Sequence, residues 1–177
     1  MKCPKCKTSD LQAAKLDGGL PAMGCAACGG TSIALLYYRD WAERAAADLE
    51  PATEAAVSEP NQDSKTALPC AKCGSLMTKF AIAGTTDNKL DLCTRCDEAW
   101  LDGGEWELLK SLNLAKEIPA VLTDAWQRKV REERMEAKRR DRLERVVGSE
   151  DLAKVEAFRE WLVANSHRTE ILFYLNQ

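Results

Sequence analysis

Cys70-Ala71-Lys72-Cys73, followed after nineteen residues by Cys93-Thr94-Arg95-Cys96, is the stretch on which the fold turns. Two cysteines three positions apart on a tight turn point both sulfurs at one ion about 2.3 Å away, and two such turns at the ends of a hairpin complete a tetrahedron. The spacing lies within that of a four-cysteine zinc site. The pattern recurs upstream, where Cys3-Pro4-Lys5-Cys6 and Cys25-Ala26-Ala27-Cys28 are separated by eighteen residues. All eight cysteines of the 177-residue chain are used in these four pairs. Two four-cysteine sites are therefore expected, each binding one zinc ion: Cys3, Cys6, Cys25 and Cys28 in the first, and Cys70, Cys73, Cys93 and Cys96 in the second. Four thiolates leave no open coordination position, so both sites read as structural. Iron suits the same four sulfurs chemically. A thioredoxin-like redox motif would use one pair at the start of a helix, and here there are four pairs on short turns.

Working outward, Leu11 to Leu16, Asp17-Gly18-Gly19 and Leu20 to Gly24 read as strand, turn, strand. Leu76 to Ile82, the turn 84–88 and Lys89 to Leu92 repeat that plan. Gly29-Gly30 and Gly74 follow the second cysteine of a pair, where a knuckle needs left-handed or open backbone. Each unit is thus a zinc ribbon that feeds a helix. Asp102-Gly103-Gly104-Glu105 matches a capping box ahead of a helix to Leu112, and Asp40-Trp41-Ala42-Glu43 offers the same box before an alanine-rich helix ending near Glu50, with Ile33 to Tyr38 as a third strand. The expected fold is a small, zinc-dominated α+β protein of two ribbons, each followed by a helix, with a C-terminal helical segment.

This divides the chain into residues 1–49, a flexible linker at 50–67, residues 68–118, and a helical part at 119–177. The linker is rich in Pro, Ser, Thr and acidic residues and has too little apolar surface to order itself, so the ribbons are expected to reorient and to fold independently. Beyond it, Trp126 to Arg145 carries nine basic residues against five acidic, a net +4. Pairs one turn apart, such as Arg128/Glu132, Lys129/Glu133, Glu136/Arg140 and Asp141/Arg145, support a solvated helix. Ser149 is expected to cap a second helix with Leu152, Val155, Phe158, Trp161 and Leu162 on one face, and Thr169 to Leu175 a third.

Leu68-Pro69-Cys70-Ala71-Lys72-Cys73-Gly74 and Cys93-Thr94-Arg95-Cys96-Asp97-Glu98-Ala99-Trp100-Leu101-Asp102-Gly103-Gly104-Glu105 resemble the bacterial transcription-factor-IIB-type zinc-ribbon family, over about residues 68–109. Members share a Cys-Pro-x-Cys opening, a Cys-x-x-Cys-Gly-Gly second knuckle and a Trp-Leu-Asp-x-Gly-Glu tail. Here Pro69 precedes Cys70 instead of following it, and Asp97-Glu98 stand where the family favours glycines. Residues 1–40 keep Cys3-Pro4-Lys5-Cys6 and Cys25-Ala26-Ala27-Cys28-Gly29-Gly30 but lack the tail. The resemblance implies zinc and the ribbon fold, and carries no particular function with it. Trp100 and Leu101 read as the small core behind the metal.

Charge and composition narrow the function. The 25 basic and 28 acidic residues give a net charge of -3, which two filled sites would move toward -7. The chain as a whole is not built to be drawn onto nucleic acid. The single histidine, His167, reads as a capping or surface residue, and no acid/base or nucleophilic constellation accompanies it, so no enzymatic activity is expected. The opening residues are polar and no apolar run approaches the ~20 residues that span a bilayer, so a cytoplasmic protein without membrane association is expected. A non-enzymatic adaptor binding a protein partner, within transcription or translation machinery, is the first reading. A nucleic-acid-binding protein using the 126–145 helix and the ribbon hairpins is the alternative, and a zinc/thiol redox switch a third.

Overall fold

A computed structural model describes residues 1–45 and 64–176. Most of the linker expected at 50–67, and the helix end expected near Glu50, lie outside the described residues. The chain divides into two compact units, Met1–Arg131 and Glu132–Gln177. Strands β1 (Gln12–Lys15), β2 (Pro21–Gly24) and β3 (Thr31–Ala34) precede helix α1 (Leu35–Arg44). Strands β4 (Thr78–Ala81), β5 (Lys89–Cys93) and β6 (Glu98–Leu101) precede α2 (Glu105–Ser111), α3 (Ile118–Val121), α4 (Asp124–Val147), α5 (Ser149–Ala164) and α6 (Arg168–Leu175). The fold is α+β with two four-cysteine ribbons, as the sequence predicts.

Both hairpins form where the turn residues place them, with Ala13 opposite Met23 in the first and Lys79 opposite Asp91 in the second. The six strands then join into one antiparallel sheet in the order β1-β2-β3-β6-β5-β4. The joint is a ladder between β3 and β6, pairing Thr31 with Leu101, Ser32 with Trp100, Ile33 with Ala99 and Ala34 with Glu98. The independent, reorienting ribbons expected from the linker are corrected by this ladder, because the third strand of each ribbon is the sheet neighbour of the other's. Hairpins announce themselves through turn residues, whereas a partner more than sixty residues away leaves no local signal.

All four residues of β6 are buried, which fits a central strand covered on both faces. The two-residue period sorts the faces. Ile33, Leu90, Ala99 and Leu101 face a core completed by Leu35, Tyr38 and Trp41 of α1, Trp106 and Leu109 of α2, and Ile118 and Val121 of α3. Trp100 and Cys93 belong to a second buried cluster with Cys3, Leu11, Cys25, Leu68, Cys70 and Met77. Helices thus cover one face and the cysteines occupy the other.

The helix starts differ from expectation. The strand after Cys28 stops at Ala34 and α1 begins at Leu35, so Asp40 lies inside the helix and caps nothing. This start places Leu35, Tyr38 and Trp41 on the buried stripe at helical spacing. The Tyr38 hydroxyl donates to the carbonyl of Ala115 at 2.9 Å and accepts from the amide of Ile118 at 3.2 Å, which ties α1 to the start of α3. Burial pushes the Tyr38 phenol up to about 12, so it stays protonated. At the edge, the Gln127 side-chain amide bonds both the N–H and the C=O of Ala81 at 3.0 Å, continuing the hydrogen-bonding pattern of β4 with a side chain.

In the second unit, Arg140 of α4 bonds Glu156 of α5 at 2.6 Å, and Glu136 bonds Arg159. Glu136 and Arg140 therefore pair between helices, where the sequence reading paired them with each other. Gly148, at φ 83°, precedes α5, and Ser149 makes no capping bond. Leu152 and Leu162 are buried, while Val155, Phe158 and Trp161 are exposed, so the expected single apolar face is split. Among the described residues no helix is long and apolar enough to cross a membrane.

Asp17, in the turn of the first hairpin, accepts from Trp106 Nε1 and pairs with Lys110 Nζ, both of α2 and both at 2.7 Å. Burial opposes its charge, but the bonds from Lys110 and Trp106 outweigh that and hold the carboxyl below its ordinary value. The pair thus stabilises the fold above the ordinary carboxylate range, and that stability is lost as pH falls through the lowered value. Asp17→Asn is expected to cost about 1–2 kcal/mol at pH 7. In urea unfolding of both proteins, the difference should shrink toward zero as pH falls below about 4, where the protonated acid and the amide become equivalent.

Candidate metal centres

Each cysteine pair sits on a turn closed by the same bond. The amide of the residue after the second cysteine donates to the carbonyl of the first: Lys7 to Cys3, Gly29 to Cys25, Gly74 to Cys70 and Asp97 to Cys93, all at 2.9 Å. All four donors have positive φ, between 55° and 72°. The sequence reading identified the two glycines and missed Lys7 and Asp97, although both occupy the equivalent position in their knuckles. A non-glycine residue accepts this conformation at a cost of roughly 1–2 kcal/mol, so the surrounding geometry must hold it there.

The turns bring the predicted ligands into two sets, Cys3/Cys6/Cys25/Cys28 and Cys70/Cys73/Cys93/Cys96, with the sulfurs of each set within 4.8 Å of one another. Cys3 and Cys28 Sγ are 3.7 Å apart, Cys6 and Cys25 3.9 Å, and Cys73 and Cys93 3.6 Å. Four sulfurs at ~2.3 Å from one ion would stand ~3.8 Å apart at tetrahedral angles, and disulfide bonding would need ~2.05 Å. The cysteines are free, and both sets fit a four-coordinate metal ion.

Within each set the thiols differ in acidity. Burial opposes ionisation of Cys25, but the backbone N–H groups of Cys28 and Ala27 outweigh it and bring the thiol down to about 7. Burial pushes Cys28 up. In the second set the Ser75 hydroxyl and amide lower Cys73 to about 6, whereas the bond from Cys73, with burial, pushes Cys96 up to about 12. Cys70 is raised by burial. Each set thus holds one sulfur ready to bind as thiolate near neutral pH and others that ionise only when a cation replaces the proton.

Carboxylates on the same face engage the knuckle lysines. Lys5, between Cys3 and Cys6, pairs with Asp102 Oδ1 at 3.2 Å. Lys72, between Cys70 and Cys73, bonds Glu98 Oε1, while Ser32 Oγ of β3 donates to Glu98 Oε2 at 2.9 Å. Asp102 also accepts from Trp100 Nε1 at 3.0 Å and from the amide of Ser64 at 2.7 Å. The predicted capping box is therefore half present. Glu105 Oε2 accepts from the Asp102 amide at 2.8 Å, but the Asp102 carboxylate turns to Trp100, Lys5 and Ser64 in place of the first helical turn. Trp100 is buried as expected. Glu98 and Asp91 were missed; both are buried acids, and Asp91 pairs with Lys79 at 2.8 Å. Strand alternation would have placed Glu98 and Trp100 on one face once β6 was known to be a strand.

A scan against protein-family models finds no match, and neither do searches of curated proteins and of solved structures.

Metal binding must release protons from the raised thiols, at least about two per ion near neutral pH. Titrating metal into the reduced, metal-free chain in buffers of different ionisation enthalpy should show this release at pH 7. Occupancy, followed with a chromophoric chelator, should fall as the solution is acidified below about pH 5.

Proposed function

We propose that this chain is a zinc-binding, non-enzymatic adaptor of the bacterial transcription-factor-IIB-type ribbon class, acting in the cytoplasm and presenting its C-terminal helices to a protein partner. The observation that carries the proposal is the pair of four-sulfur sets. Four thiolates in tetrahedral arrangement suit zinc, complete its coordination and leave no position for substrate or water. The sites then serve the sheet and the chemistry ends there. The motif from Leu68 to Leu109 supports the family assignment, and the absence of an open metal position beside a base or nucleophile supports a non-catalytic role.

The adaptor reading draws on the second unit. Its exposed apolar side chains include Phe158 and Trp161, with ring centroids 5.5 Å apart, and Phe173, Tyr174 and Leu175 of α6. Aromatic residues of this kind anchor protein interfaces. The nucleic-acid reading is favoured by one observation, the exposure of Arg128, Lys129, Arg131, Lys138, Arg139, Arg142 and Arg145 along α4. Interleaved acids limit the number of phosphates such a helix neutralises. Capture of interactors on the tagged full-length chain, with and without nuclease, separates the two readings. A defined protein partner retained after nuclease, and lost on Phe158→Ala/Trp161→Ala substitution, is the expected result. Recovery that collapses on nuclease treatment would overturn the adaptor reading in favour of nucleic acid.

A further inference from the structure

The contacts between the ribbons couple their metal sets, an inference that rests on the metal-binding reading above. Gly30 follows the second knuckle of the first set, and its carbonyl accepts the Cys25 amide at 2.8 Å. The ring of Trp100, from the second ribbon, lies against it so closely that a Cβ on Gly30 would stand 2.2 Å from Trp100 Cζ2. Gly103 meets the same knuckle, since a Cβ there would stand 2.6 Å from the Cys28 carbonyl oxygen. The Asp102 carboxylate, held by Trp100 Nε1, reaches the other knuckle of that set through Lys5. In the opposite direction, Glu98 joins Lys72 of the second set to Ser32 of the first ribbon. Every one of these residues lies on β3 or β6, beside the ladder that joins them, or within a knuckle.

We propose that the two four-cysteine sets bind metal cooperatively, with Asp102 as the positioning residue that transmits occupancy of the second set to the Cys3–Cys6 knuckle of the first. Metal in the second set fixes the Cys93–Cys96 knuckle from which β6 springs. With β6 fixed, Trp100, Asp102 and Gly103 form the wall against which the first set closes. Loss of metal from the second set frees that wall, so the first set must order its own surroundings before it binds. Linkage requires the effect to be reciprocal: whatever factor the second ion adds to the affinity of the first set, the first ion adds to the second.

The test uses the full-length reduced chain, with zinc as the probe in competition against a chromophoric chelator. Cys73→Ser, which disables the second set, should weaken zinc binding at the first by about tenfold or more, within the usual range of coupling. Cys6→Ser should weaken the second set by the same factor. Asp102→Asn and Lys5→Met keep all eight cysteines and should still bind two ions. Added to Cys73→Ser, Asp102→Asn should produce little further loss at the first set, because the route is already broken. In the otherwise intact chain it should reduce the coupling severalfold. Single-set affinities within about twofold of the intact chain would overturn the coupling while leaving the metal sites standing. Undiminished coupling in Asp102→Asn would overturn the assigned route. A chain that binds no zinc at either set would overturn the metal-binding reading and this inference with it.

Discussion

The antiparallel ladder between β3 and β6 is the contact on which the rest of the first unit depends. It converts two three-stranded ribbons, each too small to bury much apolar surface, into one six-stranded sheet with two usable faces. A 30- or 40-residue ribbon has little hydrophobic core of its own and ordinarily relies on its metal. Here the joined sheet gives α1, α2 and α3 a common surface, so Tyr38, Trp41 and Trp106 pack together although they follow different ribbons. The tie between Asp17 and α2 adds a polar fastening across the same junction.

Placing the helices on one face reserves the other for chemistry of a different kind. Metal sets, knuckle lysines and the carboxylates of Glu98, Asp91 and Asp102 share that face with Trp100. Four thiolates around a divalent ion carry net negative charge, and buried acids beside them would ordinarily be costly. Lys5, Lys72 and Lys79 offset that cost by pairing with Asp102, Glu98 and Asp91. The charged network thus depends on where the knuckles lie, while the knuckles depend on the sheet.

The parts legible in the sequence are those with local causes. Cysteine spacing identified all eight ligands and divided them correctly into sets, because knuckle geometry depends on two intervening residues and little else. Asp17-Gly18-Gly19 and the 84–88 turn located both hairpins, and the uninterrupted charged run located α4. What escaped was non-local. Glu98 to Leu101 is followed so closely by a helix that its pattern reads as a metal-side core segment, and nothing within it names Thr31–Ala34 as its partner. Asp102 has the sequence of a capping residue, yet a carboxylate flanked by Trp100 Nε1 and Lys5 Nζ gains more from those donors than from a helix end that already has Gly104 in left-handed conformation. Lys7 and Asp97 were invisible because left-handed backbone is inferred from glycine, and these knuckles adopt it without one.

The central claim is that each cysteine set encloses a zinc ion with four sulfurs and nothing else. X-ray absorption at the zinc edge on the purified full-length chain tests it most directly. The account predicts a single shell of four sulfur neighbours at about 2.3 Å, with two zinc ions per chain. A shell containing nitrogen or oxygen ligands, or a preparation whose sulfurs hold iron in place of zinc, would contradict it.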